Sequence, residues 1–574
     1  MVVSSSARIV RVSGPLVEVE CAAAVAMDDL IGLGPANVPG EVVAISDGQL
    51  TVQAYEYTGG LTPGDAAVPQ GGPLSAPLSP GLLGGVFDGL LRPLTTAPTW
   101  LGAGRYAHDD ARRWQFEPTA GAGAEVAAGA VLGVLLDAGS VEHRVQVPPG
   151  VGGTVESILP AGSYPADKVL ASVGGTSVSM SSQWPIRVAR PYRNRRDDAA
   201  PLNTGQRVVD QLFPIARGSN AAVPGGFGTG KTVLLQQLAK WCEADVIVYV
   251  GCGERGNEMA EIVADLLELT DPRTGGRLAE RTVIIANTSN MPMMAREASI
   301  YTGVTVAEYF RDMGYHVVVI ADSTSRWAEA LREFASRMGA LPAEEGYPAN
   351  LASKLAAFYE RAGFVDTLGG QSGSVTVIGA VSPPGGDLSE PVTVHTERFV
   401  RCRWTLNRDL AYSRHYPAVS WSESFSRDAE VLGAAHILTG DIDWAARRSR
   451  MLGLLNESDR LTALTDLVGV GALPGKERMV LLGGRLLREG VLQQRAQVPN
   501  DAYCAPEKTA ALVDAVLVVI DTCQDVVSGG VPAQLVEETD FGPLIRARED
   551  GGPTDTALAA QRRDDIIARL RQLR

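Results

Sequence analysis

The segment Gly225-Gly226-Phe227-Gly228-Thr229-Gly230-Lys231-Thr232 constrains this chain most, because it asks for a buried strand before it and a helix after it. Its four glycines let the backbone turn so that N–H groups surround phosphate oxygens. A helix beginning near Val233 then directs its positive dipole end at the same phosphates. Lys231 supplies charge for the β- and γ-phosphates, and Thr232 a hydroxyl for magnesium. The chain contains 63 glycines, so such a match also arises by chance, and the residues downstream of the loop decide the matter.

Downstream of the loop, apolar strands and helical segments alternate, the pattern of a parallel sheet. Strands are expected at Asp245–Val250, Thr282–Ala286, His316–Ala321 and Ser374–Ile378, with helices at Thr232–Trp241, Asn257–Leu269, Arg296–Met313 and Ser325–Met338. Ligands of open α/β sheets bind at the carboxyl ends of the strands. Glu254 stands just past such an end, in Gly251-Cys252-Gly253-Glu254-Arg255, where a carboxylate can polarise a water for in-line attack on a γ-phosphate. An ion pair with Arg255, or a first-turn helix charge, is its plainer explanation, and the phosphate loop tips the balance toward catalysis. Asp322 ends the His316–Ala321 run and is read as a magnesium carboxylate, directly or through water. Its alternative as the N-cap of the following helix is compatible with that role. Arg326 is expected one turn on, facing the same crevice or held in a surface salt bridge.

Outside this core the character of the chain changes. Short alternating strands from Ala7 to about Val68 read as a small β-barrel. Residues 73–109 are Pro-, Gly- and Leu-rich and read as a connector packed on the next layer. Residues 110–190, including the Ala/Gly-rich stretch Ala120–Ala138, read as an inserted β-rich subdomain rather than a flexible linker. Past Phe425 helical patterns dominate, and the last segment, Thr556–Arg574, places Ile566, Leu570 and Leu573 on one face for packing on its own domain. The fold expected is therefore multidomain α/β: an N-terminal β-barrel (1–72), a connector (73–109), a β-rich insertion (110–190), a phosphate-loop nucleotide-binding domain with a parallel sheet (191–435) and a C-terminal helical domain (436–574).

Composition removes several classes. Lys+Arg 51 against Asp+Glu 66 gives a net charge of −15, which offers no electrostatic footprint for sequence-independent nucleic-acid binding. Six cysteines lack Cys-x-x-Cys spacing, so neither a zinc site nor a disulfide framework is expected. The amino terminus lacks the apolar core of a signal peptide, and the most apolar runs, Val126–Leu136 and Ala515–Ile520, fall short of the ~18 residues a spanning helix needs. A cytoplasmic location, with any membrane connection made through partners, is the expectation.

Several motifs together resemble the catalytic A subunit of vacuolar/archaeal-type rotary ATPases: Gly225–Thr232, Gly251–Glu258, Ala321–Ala330, Gly346-Tyr347-Pro348, Phe358–Gly363 and Gly379–Asp387. Val12–Val17 is similar to that family's first strand. The stretch around Val147–Val151 with Trp184-Pro185 is similar to its bulge insertion, and the likeness runs over nearly the whole chain. The resemblance implies ATP/ADP contacts from Gly225, Gly226, Phe227, Gly228, Thr229, Gly230, Lys231, Thr232 and Val233, and Mg2+ at Thr232 and, through water, at Asp322. It implies catalysis by Lys231, Glu254, Arg255 and Arg326, with Arg255 holding Glu254 and phosphate charge, and stacking of adenine on Tyr416, where the family usually has Phe. It further implies an alternating ring with a non-catalytic B-type subunit that supplies an arginine in trans, central rotor and peripheral stalk subunits, and an indirect link to a membrane ion-translocating sector.

Three departures stand out: Ser79 where relatives usually have Gly, Thr229 where many have Cys, and Leu492–Gln497 in place of a usual Gln-Gln-Asn-Ala-Phe pattern on one side of the adenine pocket. Two rival readings fit less well. A non-enzymatic nucleotide-binding ring subunit sits poorly with Lys231, Thr232 and Glu254 together. An RNA-translocating ATPase sits poorly with the net charge and with 6% aromatic residues for base stacking. The expectation is a catalytic subunit that hydrolyses or makes ATP with magnesium, coupled through a rotor to proton or sodium movement, and without nucleic acid.

Overall fold

Alternation of apolar and polar residues at the amino terminus closes six strands into a barrel, in the order Ala7–Ser13, Leu16–Glu20, Gln49–Ala54, Val38–Ser46, Asp29–Leu33 and Ala66–Pro73. The computed structural model describes residues 7–95, 112–271 and 274–573. Inward residues such as Ile9, Val17, Val19, Ile31, Leu33, Val42 and Val52 fill the barrel, as expected for a period of two with one buried face. Of the connector expected over 73–109, residues 96–109 lie outside the described residues.

These residues fall into two compact units: Met1–Asp197 with Ala244–Val381, and Asp198–Glu243 with Ser382–Arg574. In the first, the insertion forms two four-stranded antiparallel sheets. They enclose Trp114, Phe116, Leu132, Val145, Val155 and Val173. The Ala/Gly-rich stretch is folded, contributing the strands Glu125–Val126 and Val131–Leu135.

The same unit holds parallel strands in the order Ser372–Val381, His316–Asp322, Val246–Cys252, Thr282–Asn287 and Val86–Phe87. Their near-continuous Val/Ile content reflects burial on both faces. The helix Met293–Asp312 packs on this sheet and is buried along most of its length. It begins three residues before the expected Arg296, because Pro292 occupies the N-cap position and stops the preceding loop. Its Glu297 receives both guanidinium nitrogens of Arg187 (2.9 and 2.8 Å) and Lys354 Nζ (3.4 Å), while Arg187 also reaches Glu41 of the barrel at 3.2 Å. One arginine thus ties barrel, insertion and helix together.

In the second unit, Asn220–Pro224 runs parallel to Cys402–Arg403, which pairs with Phe425–Ser426. The remainder is helical, with Trp444–Val468, Gly475–Leu487, Pro506–Ser528 and Ala557–Arg571 the longest elements. The last helix lies against Pro506–Ser528 and buries Ile566 and Leu570. Its apolar stripe is therefore spent within the chain.

Candidate nucleotide site

The buried strand Asn220–Pro224 delivers the chain into the glycine-rich turn, and the helix Lys231–Trp241 leaves it. Gly228 and Gly230 hold φ of 78° and 87°, the left-handed region where a β-carbon is strained. Gly225 is required for a different reason: a β-carbon there would lie 2.8 Å from Leu406 Cβ and from Thr229 Oγ1. Thr229 is 2% exposed. Its hydroxyl donates to Gly226 O at 2.8 Å, so this side chain pins the turn from inside. Lys231 Nζ donates to the carbonyls of Gly225 (2.5 Å) and Gly226 (3.0 Å), which folds the ammonium back over the loop. Thr232 and Val233 are exposed on the first turn, and Phe227 is exposed at the tip.

Tyr416 joins this loop. A β-carbon on Gly230 would lie 3.3 Å from Tyr416 Cε1, so the aromatic ring borders the turn. The altered segment at 492–497 supports it: Gln494 N donates to Tyr416 O at 2.8 Å, and Gln493 Nε2 to Arg414 O at 3.2 Å. Gln494 is buried, and its side chain reaches Gly205 O and the amide of Arg207. Sequence reasoning missed Arg408. Its Nη2 donates to Gly385 O at 3.2 Å and lies 3.4 Å from where a β-carbon on Gly226 would be. An Arg after a cap-forming Asn407 in an irregular stretch carries no signal of this placement.

Glu254, Asp322, Arg255 and Arg326 belong to the other unit. Register sets the strand ends there: Gly251 is opposite Asp322, and Cys252 opposite Asn287. Glu254 thus follows the carboxyl end of its strand beside the end that carries Asp322. Gly253, at φ 78°, turns the chain. Its amide donates to Asn287 O (2.6 Å), and Glu254 O accepts from Ser289 N (2.9 Å). Asp322 Oδ2 accepts from the buried Tyr249 hydroxyl at 3.2 Å. Burial, then the Asp322 charge, keep that phenol protonated, so it remains a donor. The N-cap position of the helix Thr324–Arg337 is Ser323 rather than Asp322, which leaves the carboxylate at the strand end.

The two arginines are more exposed. Arg255 lies 3.9 Å from Glu258, with 72% of its side chain exposed. Arg326 makes a two-pronged contact with Glu329 at 3.1 and 3.0 Å, and its Cβ backs onto Gly253.

Among the described residues no cluster of three or more His, Cys, Asp or Glu could hold a metal ion by itself. A magnesium ion that arrives on nucleotide phosphates takes only one or two protein oxygens, and the Thr232 hydroxyl in one unit and the Asp322 carboxylate in the other are each, taken separately, an oxygen donor of that kind. Also among the described residues, no helix is long and apolar enough to cross a membrane.

Four family models cover this architecture. Residues 9–71 match the beta-barrel domain of the ATP synthase alpha/beta family, and residues 106–187 the ATP synthase alpha/beta subunit barrel-sandwich domain. Residues 205–426 match the nucleotide-binding domain of the ATP synthase alpha/beta family, and residues 439–534 the C-terminal domain of V and A type ATP synthase. The V-type ATP synthase alpha chain of Nitrosococcus oceani is 48% identical over 557 residues, covering 94% of this chain and 93% of that protein. The corresponding A-type ATP synthase chain of Haloferax volcanii is 45% identical, with 94% and 93% covered. The V-type ATP synthase alpha chain of Anaeromyxobacter dehalogenans strain 2CP-C is 46% identical, with 99% of each covered. In fold the chain resembles EscN, the assembled ATPase of the enteropathogenic E. coli type III secretion system, with TM-score 0.64 and 21% identity over 90% of this chain and 100% of that one. With these matches running nearly end to end, the chain belongs to the alpha/A-subunit family of V-type and A-type ATP synthases.

Proposed function

We propose that this chain is the catalytic subunit of its complex, with the loop at 225–232 gripping the nucleotide phosphates and Glu254 activating the attacking water. As a member of its family it binds ATP and ADP and is an ATP hydrolase/synthase, part of a multisubunit rotary assembly coupled to ion translocation. The observation carrying the catalytic reading is the position of Glu254, just past the carboxyl end of a parallel strand and beside the strand end that carries Asp322.

Gly225, Gly226, Phe227, Gly228, Thr229, Gly230 and Val233 shape the phosphate cradle. Lys231 neutralises β- and γ-oxygens, and Thr232 supplies a magnesium oxygen, with Asp322 acting on the same ion through water. Mg2+, once bound with ATP, offsets phosphate charge. Glu254 takes hydrogen-bond control of the water, Arg255 and Arg326 add positive charge near Glu254, and Tyr416 stacks on adenine. The proposed division into barrel, connector, insertion, nucleotide-binding and helical domains keeps the bounds 1–72, 73–109, 110–190, 191–435 and 436–574.

The proposed partners are a non-catalytic B-type subunit that alternates with this one, rotor and stalk subunits, and a membrane sector reached indirectly from the cytoplasmic side. An arginine from outside the loop commonly contributes about 10³–10⁵ in rate to phosphoryl transfer, and here the B-type neighbour would supply it. ATP turnover of the isolated chain, measured before and after adding that partner, tests the proposal. Slow turnover that rises on addition supports a shared site, and full activity from the isolated chain contradicts it. RNA added to the same assay should change nothing.

A further inference from the structure

The Cys252–Arg255 turn is bracketed by one residue, side chain and backbone carbonyl together, to which the catalytic reading gives no role. Arg296 stands on the first turn of the helix Met293–Asp312. Its Nη2 donates to Ser289 O at 2.9 Å, and the Ser289 amide in turn donates to Glu254 O at 2.9 Å. On the other side of Glu254, the Cys252 thiol donates to Arg296 O at 3.5 Å. Between these points the arginine stem lies over Gly253: a β-carbon there would be 3.1 Å from Arg296 Cδ and 3.3 Å from its Nε. Arg326 Cβ closes the opposite side at 2.8 Å. The left-handed Gly253 is therefore clamped between two arginines, and only a glycine leaves room for both. Arg296 Nε is buried and, among the described residues, finds no hydrogen-bond partner. Burying an N–H unsatisfied costs free energy, so this arginine is not placed there for stability alone.

We propose that Arg296 is a positioning residue for Glu254: through its guanidinium bond to Ser289 and its stem over Gly253, it fixes the turn from which the carboxylate reaches the attacking water. The proposal rests on the water-activating reading of Glu254. The contacts of Arg296 at this turn are with Ser289, Cys252 and Gly253, so its effect is expected to pass through the turn. Displacing a catalytic group by about 1 Å can cost on the order of 100-fold in rate, which sets the scale of the effect.

The test is a double-mutant cycle on the assembled complex, with kcat, KM and nucleotide binding measured for Arg296→Met, Arg296→Lys, Glu254→Gln and the pair Glu254→Gln/Arg296→Met. Methionine keeps an unbranched stem over Gly253 and deletes the bond to Ser289. Arg296→Met should lower kcat about 10- to 100-fold with KM within about threefold of the parent, and lysine should restore part of the loss. In the Glu254→Gln background the same substitution should cost less than about threefold, since the group it positions is already gone. If Arg296→Met leaves kcat within threefold, or if the two losses multiply, the positioning role is wrong while Glu254 keeps its own. If Glu254→Gln alone is nearly fully active, the reading of Glu254 falls and this proposal with it. Should Arg296→Met fail to assemble, Arg296→Lys in the same cycle decides between these outcomes by the same criterion of additivity.

Discussion

The ring of Tyr416 borders the phosphate loop at Gly230: its Cε1 lies 3.3 Å from the point a β-carbon on that glycine would occupy. On the proposed stacking of adenine on Tyr416, base and phosphate recognition would be coupled at this contact. Tyr416→Ala should weaken ATP binding about tenfold, or roughly 1.4 kcal/mol, while inorganic triphosphate, which has no base, binds as before. Tyr416→Phe should match the parent. Equal loss for both ligands would mean that the ring supports the loop rather than the base.

Cysteine chemistry should not govern this subunit. Thr229 occupies the inner face of the loop without a thiol, and Cys252, which begins the turn carrying Glu254, is fully buried, with burial pushing its thiol up to about 12. Almost no thiolate exists there at neutral pH, so mild oxidants should leave ATPase activity of the assembled complex unchanged. Peptide mapping of oxidised material checks this, with reversible inhibition traced to Cys252 as the contrary result.

The Arg187–Glu297 pair predicts an acid-dependent stability. Burial raises the Glu297 carboxyl, but the charges of Arg187 and Lys354 and their hydrogen bonds outweigh it and hold it at about 2, below the ordinary 4.5. A depressed folded-state value contributes stability above the unfolded pKa and loses it as pH falls, here from about 4.5 toward 2. Glu41, which shares Arg187, is raised by burial and has the opposite sign. Comparison with Glu297→Gln isolates the pair. The variant should be less stable by roughly 3 kcal/mol at pH 7. The gap should close as pH falls through that window in chemical denaturation. A gap independent of pH would assign the loss to packing.

Elements governed by local pattern were legible in the sequence. The strand alternation of Leu16–Glu20 and Gln49–Ala54, the apolar runs of the parallel sheet, and the glycine loop each carry their signal within about ten residues. The sixth barrel strand, Ala66–Pro73, carries too much Gly and Pro to announce itself, yet its backbone pairs with Asp29–Leu33. Contacts set by register were out of reach. Tyr249 meets Asp322 across 73 residues, and Arg187 meets Glu297 across 110, because neighbouring strands and a packed helix bring them together. Arg296 stood at the expected start of a helix and gave no sign of its contacts with the Glu254 turn.

Glu254→Gln in the assembled complex bears most directly on the catalytic assignment, because the substitution is nearly isosteric and removes only the carboxylate's charge and basicity. Steady-state ATP hydrolysis and nucleotide affinity should be measured together, with Lys231→Ala as the variant expected to lose both. Nucleotide affinity should stay close to that of the parent while turnover falls by orders of magnitude. A fall of less than about tenfold, corresponding to roughly 1.4 kcal/mol of barrier, would contradict water activation by Glu254.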